Sequence, residues 1–418
     1  MRIYRNISIY AIYCTQSTRI KESEVDTCMI RINPYRPGAG MVPAYLAGRQ
    51  DCIEEAVHVL EAVSVGFPSR SIVYYGLRGV GKTVLLNHLE TVAEELPVVS
   101  EYMEITERGR SFQQYLALAV YKLIHQLSIK QQIAEQAKKV LSILKAFSLK
   151  YACGDVSVEI TLDAAHGISD TGNLENDIME VLISLGQAAK SSRQGVVLFI
   201  DEIQYMKEDE LESLMTALHR LNQKGLPIVI MAAGLPKIAK IAGDVKSYAE
   251  RLFQFVEIGT LTAEDAKKAL TEPAAQFHVT YEPEALQYML NITEGYPYFL
   301  QEYGKWTWEA RKKDTIITKA DAVAAFGKFE ASLDESFFKV RHDRATPREL
   351  AFMIAMVQCG ERPCNTKDIA SQMGESVQRI SPLRAQLIHK GFIYAAKRGA
   401  VDFTVPHFDS YLKRMHLV

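Results

Sequence analysis

The feature that most constrains this chain is a glycine-rich loop set between an apolar strand and a helix. Residues 71–86 read SIVYYGLRGVGKTVLL, and positions 76–83 fit the pattern G-x-x-x-x-G-K-[ST] at every fixed position. In this pattern the glycines let the backbone curl, so that N–H groups and the positive end of the next helix meet one anion. We predict a phosphate-binding loop. A glycine-rich turn that matches by chance is the alternative, and the flanking strand and helix disfavour it.

The residue types of the loop predict how it would hold a nucleoside triphosphate. Lys82 is expected to reach the terminal phosphates, and the Thr83 hydroxyl is placed to hold Mg²⁺, which prefers hard oxygen ligands. The rest of the loop is expected to surround the phosphates. The predicted contacts with ATP are Gly76, Arg78, Gly79, Val80, Gly81, Lys82, Thr83 and Val84.

A second apolar run ends in two acids. Residues 196–200 read VVLFI, which is typical of a parallel strand buried on both faces, and Asp201 and Glu202 follow. This matches a Walker B site, in which Asp201 would hold Mg²⁺ through water and Glu202 would orient and deprotonate the attacking water. Two acids that cap the next helix are the alternative. The presence of both motifs in this order favours nucleotide binding and hydrolysis.

Composition sets the class of protein. The chain has 418 residues, 48% of them hydrophobic, and a formal net charge of -2, which indicates a globular protein with room for two or three domains. No run approaches the ~20 apolar residues of a membrane span, and the N-terminus lacks the order of a signal peptide. We therefore expect a cytoplasmic protein with no membrane partner. The six cysteines are expected to be free thiols, because Cys359 and Cys364 lack a second pair of zinc ligands.

The alternation of apolar runs and helical periodicity predicts a doubly wound parallel α/β sheet. A segment rich in Pro and Gly, from residue 33, leads into the first helix and is expected to lie across the nucleotide base. An insertion at residues 128–173 contains an alternating, strand-like stretch at 156–162, to which we assign no role. The predicted strands are residues 72–75, 98–105, 196–200, 227–233 and 253–258.

Changes in pattern predict four parts of the chain. Residues 1–33 read as an appendage, residues 34–260 as the ATPase α/β domain, residues 261–340 as a helical lid, and residues 341–418 as a winged helix. The lid is expected to begin at Thr262-Ala263-Glu264-Asp265 and to break at Gly295-Tyr296-Pro297.

The winged-helix prediction rests on three helices and a basic hairpin. Helices are expected at 347–358 and 366–373, with a third that starts at Ser381-Pro382 and ends near Lys390. The hairpin, residues 392–396 and 400–405, would carry Lys397 and Arg398 at its turn. From residue 341 onward, twelve Lys and Arg stand against seven Asp and Glu, a net charge of +5. This excess suits double-stranded DNA, with Arg384 facing outward on the third helix and Lys397 and Arg398 on the wing.

With these four parts in order, the chain resembles the AAA+ ATPases of the origin-recognition and cell-division-control initiator type over about residues 40–415. The resemblance implies that Arg49, which follows Gly48, helps to position the adenine, although Gln50 stands where the family has an acid. It also implies that Arg251, before the last strand, reaches into the ATP site of a neighbouring subunit in a homo-oligomer.

Two departures from that family bear on function. The strand at 227–233 ends in Ala232 and Ala233, where such ATPases carry a polar residue that senses the γ-phosphate. The lid reads Glu294-Gly295-Tyr296-Pro297, which is closer to the Gly-x-Pro motif of the signal-transducing (STAND) ATPases and implies Tyr296 and Pro297 as lid contacts. Both departures favour a slow nucleotide switch over a motor.

Three functions stay open. The first is an ATP-switched DNA-binding protein, and the second is a STAND-like signalling or assembly ATPase whose winged helix docks a partner protein. The third is a chaperone-like ATPase that delivers a partner to DNA. Salt-dependent retention on DNA distinguishes the first from the second.

Overall fold

A computed structural model describes residues 32–107, 109–131, 134–151, 162–245 and 249–416. Residues from Pro34 onward form one compact unit. The predicted appendage, except for Ile32 and Asn33, and the strand-like stretch at 156–162, except for Leu162, lie outside the described residues, as do Cys14, Cys28 and Cys153. Cys52, Cys359 and Cys364 are free thiols, as predicted.

Five parallel strands form the central sheet, and all five lie where the apolar runs predict them. They are β1 (Ser71–Tyr75), β2 (Val98–Glu104), β3 (Gly195–Asp201), β4 (Ile228–Gly234) and β5 (Phe253–Glu257). The order across the sheet is β2-β3-β4-β1-β5. Every residue of β3 is buried, as expected for a strand covered on both faces. Ile200 pairs with both Met103 and Ala232, so the carboxyl ends of neighbouring strands lie close together.

Helices cover both faces of this sheet, which confirms the doubly wound α/β architecture. They are α1 (Gln50–Ser64), α2 (Lys82–Glu94), α3 (Phe112–Gln131), α4 (Ala134–Tyr151), α5 (Leu174–Ser191), α6 (Glu208–Gln223), α7 (Lys237–Val245) and α8 (Ala249–Leu252). Because side chains alternate along a strand, Phe199 packs in the core with α1 and α2, whereas its neighbours Leu198 and Ile200 pack in the core with α3 to α6. The side chain of Asn173 caps the N-terminus of α5: its Oδ1 accepts the Asn176 N–H at 3.1 Å.

A helical lid follows the sheet. It contains α9 (Ala263–Ala275), α10 (Pro283–Thr293), α11 (Pro297–Ala310) and α12 (Lys319–Ser332), with two short parallel strands, β6 (Thr280–Tyr281) and β7 (Ile316–Ile317), that were not predicted. The predicted start holds, because the Thr262 hydroxyl accepts the Asp265 N–H at 3.2 Å. The predicted break holds too, since Glu294 and Gly295 adopt φ of 49° and 70° between α10 and α11.

A connecting segment, Leu333–His342, joins the lid to the C-terminal region. It is helical throughout, with a π-helix at Leu333–Phe338 and α13 at Lys339–His342. Single turns of π-helix inside helices are frequent at functional sites. No helix among the described residues has the length and apolar character needed to cross a bilayer.

The C-terminal region, Pro347–His416, combines helices with a small antiparallel sheet. Its elements are α14 (Pro347–Gln358), β8 (Cys364–Asn365), α15 (Thr366–Gln372), α16 (Val377–His389), β9 (Ile393–Lys397), β10 (Ala400–Phe403) and α17 (Phe408–His416). The strands lie in the order β8-β10-β9. The first two helices and the hairpin were predicted, whereas β8 and α17 were not.

The predicted start of the third helix at Ser381-Pro382 is wrong. The helix α16 begins at Val377, and the Ser376 side chain caps it by accepting the Arg379 N–H at 3.4 Å. Pro382 therefore lies inside the helix, where its missing N–H costs a hydrogen bond. The Ser381 hydroxyl donates to the Val377 carbonyl at 2.8 Å, one turn earlier.

Candidate nucleotide-binding site

A cavity of about 690 Å³ opens where the carboxyl ends of β1 and β3 meet the lid. Four parts of the chain line it: the extended segment at residues 36–47, the glycine-rich loop at 78–84, the ends of β2 and β3, and the lid with the connecting segment, including Tyr298 and Arg341. Its volume lies within the range of sites that enclose small molecules and cofactors. The extended segment thus lines the cavity, and its predicted place across the nucleotide base stays a prediction.

The glycine-rich loop has the backbone conformation that its sequence predicts. Gly81, immediately before α2, adopts φ of 92°, a left-handed conformation that favours glycine. The first residue of α2 is Lys82, so the helix N-terminus faces the loop. At the other end of the loop, a Cβ at Gly76 would lie 2.0 Å from the Ile258 carbonyl oxygen, so only glycine fits there.

The side chain of Lys82 is folded into this loop. It is 8% exposed, and its Nζ donates to the Gly76 carbonyl at 3.1 Å and the Leu77 carbonyl at 2.8 Å. Burial lowers the pKa of Lys82 to about 8, and the nearby charges of Glu202 and Asp201 offset part of that shift. The ammonium therefore carries most of its charge at neutral pH.

The structure brings Thr83 and Asp201 together, although they are far apart in sequence. The Thr83 hydroxyl donates to Asp201 Oδ2 at 2.7 Å, and the Tyr102 hydroxyl donates to the same oxygen at 3.0 Å. A hydroxyl and a carboxylate are the hard oxygen donors that Mg²⁺ takes beside nucleotide phosphates, so this pair fits the ion. The sequence gives no sign of Tyr102, which comes from β2.

A buried amide holds the carboxylate of Glu202. Gln204 Nε2 donates to Glu202 Oε2, while Gln204 Oε1 accepts the Leu235 N–H at 2.9 Å. Glu202 itself has φ of 53°, an uncommon backbone conformation for a residue other than glycine. Leu235 directly follows β4, so Gln204 supplies a polar contact at the strand end where Ala232 and Ala233 offer none. The only sequence signal for Gln204 is its place two residues after Glu202.

A further carboxylate, Glu104, lines the same cavity at the end of β2. Burial raises the pKa of Glu104, and the negative charges of Asp201 and Glu202 raise it further. This shared effect places three carboxylates near one another at the carboxyl edge of the sheet. Glu104 was not predicted, because a single acid at a strand end carries no distinguishing pattern.

Residues 45–231 match the family model described as AAA ATPase domain. The match includes the glycine-rich loop, Asp201 and Glu202. The chain contains an AAA ATPase domain. Such a domain implies that the chain binds and hydrolyses ATP.

The other comparisons add little about function. Residues 335–412 match a domain of unknown function (DUF8462). No curated protein matches the sequence.

Several solved structures resemble the chain over most of its length. The Orc1 protein of Aeropyrum pernix, solved in complex with DNA, is 16% identical with a TM-score of 0.46, covering 89% of this chain and 94% of that one. The RuvB Holliday junction branch migration motor of Thermotoga maritima is 15% identical with a TM-score of 0.44, over 88% and 95%. Cdc6p of Pyrobaculum aerophilum is 12% identical with a TM-score of 0.44, over 91% and 96%. Similarities this low assign no function.

Within the AAA ATPase domain, the Arg49 side chain contacts the backbone of the glycine-rich loop. It is 8% exposed, and its guanidinium donates to the carbonyls of Val80 at 3.1 Å and Gly259 at 2.6 Å. Burial lowers the pKa of Arg49. Arg49 also lines the cavity, and its predicted role beside the adenine stays a prediction.

The side chain of the loop residue Arg78 extends toward Tyr205 and toward the C-terminal region. It donates to the Tyr205 hydroxyl at 3.0 Å. A Cβ at Gly391, in the turn between α16 and β9, would lie 3.2 Å from an Arg78 terminal nitrogen and 3.2 Å from Leu235 Cδ1. Arg78 therefore connects the AAA ATPase domain with the C-terminal region.

The two predicted lid residues take different positions. Pro297 lines the cavity, whereas Tyr296 is fully buried against the loop, where a Cβ at Gly79 would lie 2.9 Å from its hydroxyl. That hydroxyl has no hydrogen-bond partner among the described residues. Burial raises the pKa of Tyr296, so the phenol stays protonated. The structure thus places Tyr296 on the loop rather than in the cavity.

Four predicted residues lie away from the cavity lining. Arg251 is exposed on α8, and Lys397 and Arg398 are exposed at the tip of the β9–β10 hairpin. Arg384 was expected to face outward, but it is half-buried, and its Nε atom is buried without a hydrogen-bond partner among the described residues.

Half of the basic residues of the C-terminal region already pair with carboxylates. Six of the twelve basic residues from Arg341 onward pair with carboxylates: Arg344, Arg348, Arg362, Arg379, Lys390 and Arg414. Lys397 and Arg398 form no ion pair with any described residue.

Proposed function

We propose that this chain is a Mg²⁺-dependent ATP switch, in which the bound nucleotide sets how the C-terminal region is held and thereby controls duplex DNA binding. The observation that carries the proposal is the composition of the cavity wall. Lys82 and Thr83 of the loop, Pro297 of the lid and Arg341 of the connecting segment all line one space. A ligand there touches each part that joins the AAA ATPase domain to the C-terminal region.

Within this site the residues have separate tasks. Thr83 and Asp201 would hold the magnesium ion, which supplies positive charge beside the phosphates when bound. Lys82 neutralises charge on the terminal phosphates, and Glu202 takes a proton from the attacking water. Hydrolysis is expected to be slow, because the Glu202 carboxylate must leave the Gln204 amide before it can accept that proton.

DNA binding is assigned to the exposed hairpin tip. Lys397 and Arg398 are exposed and lack carboxylate partners among the described residues, so both charges are available to phosphates. We interpret α14, α15 and α16 with the β9–β10 hairpin as a winged helix whose wing follows the DNA backbone.

Fluorescence anisotropy of a labelled duplex tests this function. Glu202→Gln protein loaded with ATP is expected to bind the duplex with a salt-dependent affinity that differs by at least about tenfold from that of the ADP form. A double Lys397→Ala/Arg398→Ala variant should lose most of this affinity. Lys312→Ala/Lys313→Ala, which removes two exposed lysines of the lid, is the matched control and should keep it. Equal affinity in all nucleotide states would contradict the switch.

A second function is favoured by one contact. The turn at Gly391 packs on Arg78 and Leu235, so the C-terminal region already docks on protein through this turn. A STAND-like assembly ATPase would use that region for protein docking alone. Size-exclusion chromatography with and without ATP and duplex DNA separates the two: ATP-dependent oligomers with no DNA in the complex would favour the assembly function.

A further inference from the structure

Arg341 is the charged residue that the segment between the lid and the C-terminal region contributes beside the phosphate loop in the cavity wall. It lies in α13, in the segment that connects the lid to the C-terminal region, and it lines the cavity. Its guanidinium carbon stacks 4.0 Å above the Phe337 ring, and its Nη1 donates to the Phe337 carbonyl. These contacts fix the side chain while the remaining N–H groups stay available to a ligand.

Arg78 and Tyr298 line the cavity together with Arg341. No carboxylate of a described residue lies within 4.0 Å of the Arg341 guanidinium. Burial and, to a smaller extent, the charge of Arg78 lower the pKa of Arg341 to about 10, although Tyr296 and Tyr298 act in the opposite direction. The guanidinium still carries its charge at neutral pH. A half-buried arginine that faces a second arginine is a favourable place for an anion.

Arg78 links this arginine to the phosphate loop and to the C-terminal region. Arg78, Lys82 and Arg341 line the same cavity, and the charge of Arg78 lowers the pKa of the other two. The Arg78 guanidinium also packs on Gly391, just before β9. Lys82 and Arg78 belong to the glycine-rich loop, whereas Arg341 belongs to the connecting segment. An anion bound near all three would offset the repulsion among their positive charges.

We infer that Arg341 is a ligand of the γ-phosphate of ATP, supplied by the connecting segment, so that loss of this phosphate loosens the C-terminal region from the AAA ATPase domain. The inference rests on the proposed binding of ATP in this cavity. Under this inference, Arg341 makes the contact by which the protein distinguishes ATP from ADP. Neither Ala232 and Ala233 nor the lid sequence at 294–297 offers such a contact. Arg78 then transmits the change, because its guanidinium lies beside Gly391, where a Cβ would come within 3.2 Å of it.

Calorimetric titration of full-length protein with Mg·ATP and Mg·ADP tests the assignment. In Arg341→Gln, ATP binding is expected to weaken about 10- to 100-fold, with ADP binding within about twofold of wild type. Arg344→Gln is the matched control, since Arg344 lies three residues away and pairs with Glu107 at 3.6 Å, and both affinities should stay unchanged. Equal weakening of ATP and ADP, or no weakening of either, would overturn the inference.

Two further variants keep the outcome clear. Arg341→Lys retains the charge without the planar fork, so its loss of ATP affinity should be smaller than that of Arg341→Gln, again with ADP unchanged. This comparison holds if Arg341→Gln folds poorly. Lys82→Ala should bind neither ATP nor ADP, and if it still binds them, the proposed function fails. If Lys82→Ala binds neither nucleotide but Arg341→Gln binds both as wild type does, only the inference about Arg341 is overturned.

Hydrogen exchange reports the consequence for the C-terminal region. In Glu202→Gln protein, amides around Gly391 are expected to exchange more slowly with ATP than with ADP. Adding Arg341→Gln should make the two nucleotides equal. If the amides around Gly391 in that double variant still exchange at different rates with ATP and with ADP, Arg341 does not bind the γ-phosphate.

Discussion

Gln204 binds the carboxylate of Glu202 through its side-chain amide and at the same time accepts the Leu235 N–H at 2.9 Å. The proposed general base is therefore tied to the end of β4, next to the strand that carries the phosphate loop. Gln204 is buried, so water competes poorly for the Glu202 carboxylate. This contact gives a physical reason to expect a long-lived ATP state.

Removing that contact is expected to speed hydrolysis. In Gln204→Ala the Glu202 carboxylate no longer has to leave a hydrogen-bond partner, and kcat should rise about tenfold, the effect of about 1.4 kcal/mol, with ATP affinity unchanged. Phosphate release at saturating ATP measures it, and thermal unfolding checks that the variant folds. A fall in kcat would show instead that Gln204 orients Glu202 for the reaction.

The pH dependence of nucleotide binding should report Lys82. Its pKa in the free protein is lowered to about 8, so the ammonium loses its proton as pH rises through that value. Phosphate binds the charged form, and ATP affinity is expected to be highest below pH 8 and to fall by up to about tenfold per pH unit above it. Calorimetry in buffers of different ionisation enthalpy should detect proton uptake on binding at pH 8.5. Lys82→Arg, which stays charged, should bind without this dependence.

Arg251 is expected to act on the site of a neighbouring subunit, because it is exposed and does not line the cavity of its own chain. Arg251→Ala and Glu202→Gln proteins should each hydrolyse ATP slowly, and mixing them should restore some activity at shared interfaces. Arg193→Ala, another exposed arginine, is the control. Activity that is independent of protein concentration, together with a fully active Arg251→Ala variant, would exclude this role.

The hairpin tip should bind DNA without regard to sequence. Lys397→Ala/Arg398→Ala is expected to weaken binding to all duplexes alike and to lower the slope of log affinity against log salt by about two. Arg384→Ala should weaken a preferred sequence more than a random one, although the half-buried position of Arg384 requires its side chain to turn outward. Truncation after residue 340 that leaves DNA affinity unchanged would contradict both expectations.

Local patterns predicted much of this fold. The five strands of the sheet, the phosphate loop and the break at Gly295 follow from runs of neighbouring residues, and each lies where it was expected. The start of α16 was missed because Ser381-Pro382 matches a helix start locally, whereas packing of Ile380 and Leu383 in the core extends the helix back to Val377.

The parts of the site that depend on tertiary structure could not be predicted from the amino-acid sequence. Tyr102 and Gln204 become significant only because β2, β3 and β4 end side by side, which places their side chains on Asp201 and Glu202. Arg341 reaches the cavity because a helix that began in the lid continues past it. No spacing in the sequence signals such convergence. The roles of Arg49, Arg251 and the lid residues stay predictions.

Calorimetric titration of wild-type protein with Mg·ATP, beside Lys82→Ala, tests the central claim most directly. Lys82 is buried in the loop and faces the cavity, so its removal should weaken ATP binding at least about 100-fold, or about 2.7 kcal/mol, while an exposed lysine replaced in Lys224→Ala leaves it unchanged. Wild type should bind a single nucleotide per chain, and Glu202→Gln should bind it equally well. Equal ATP affinity in wild type and Lys82→Ala would contradict the account.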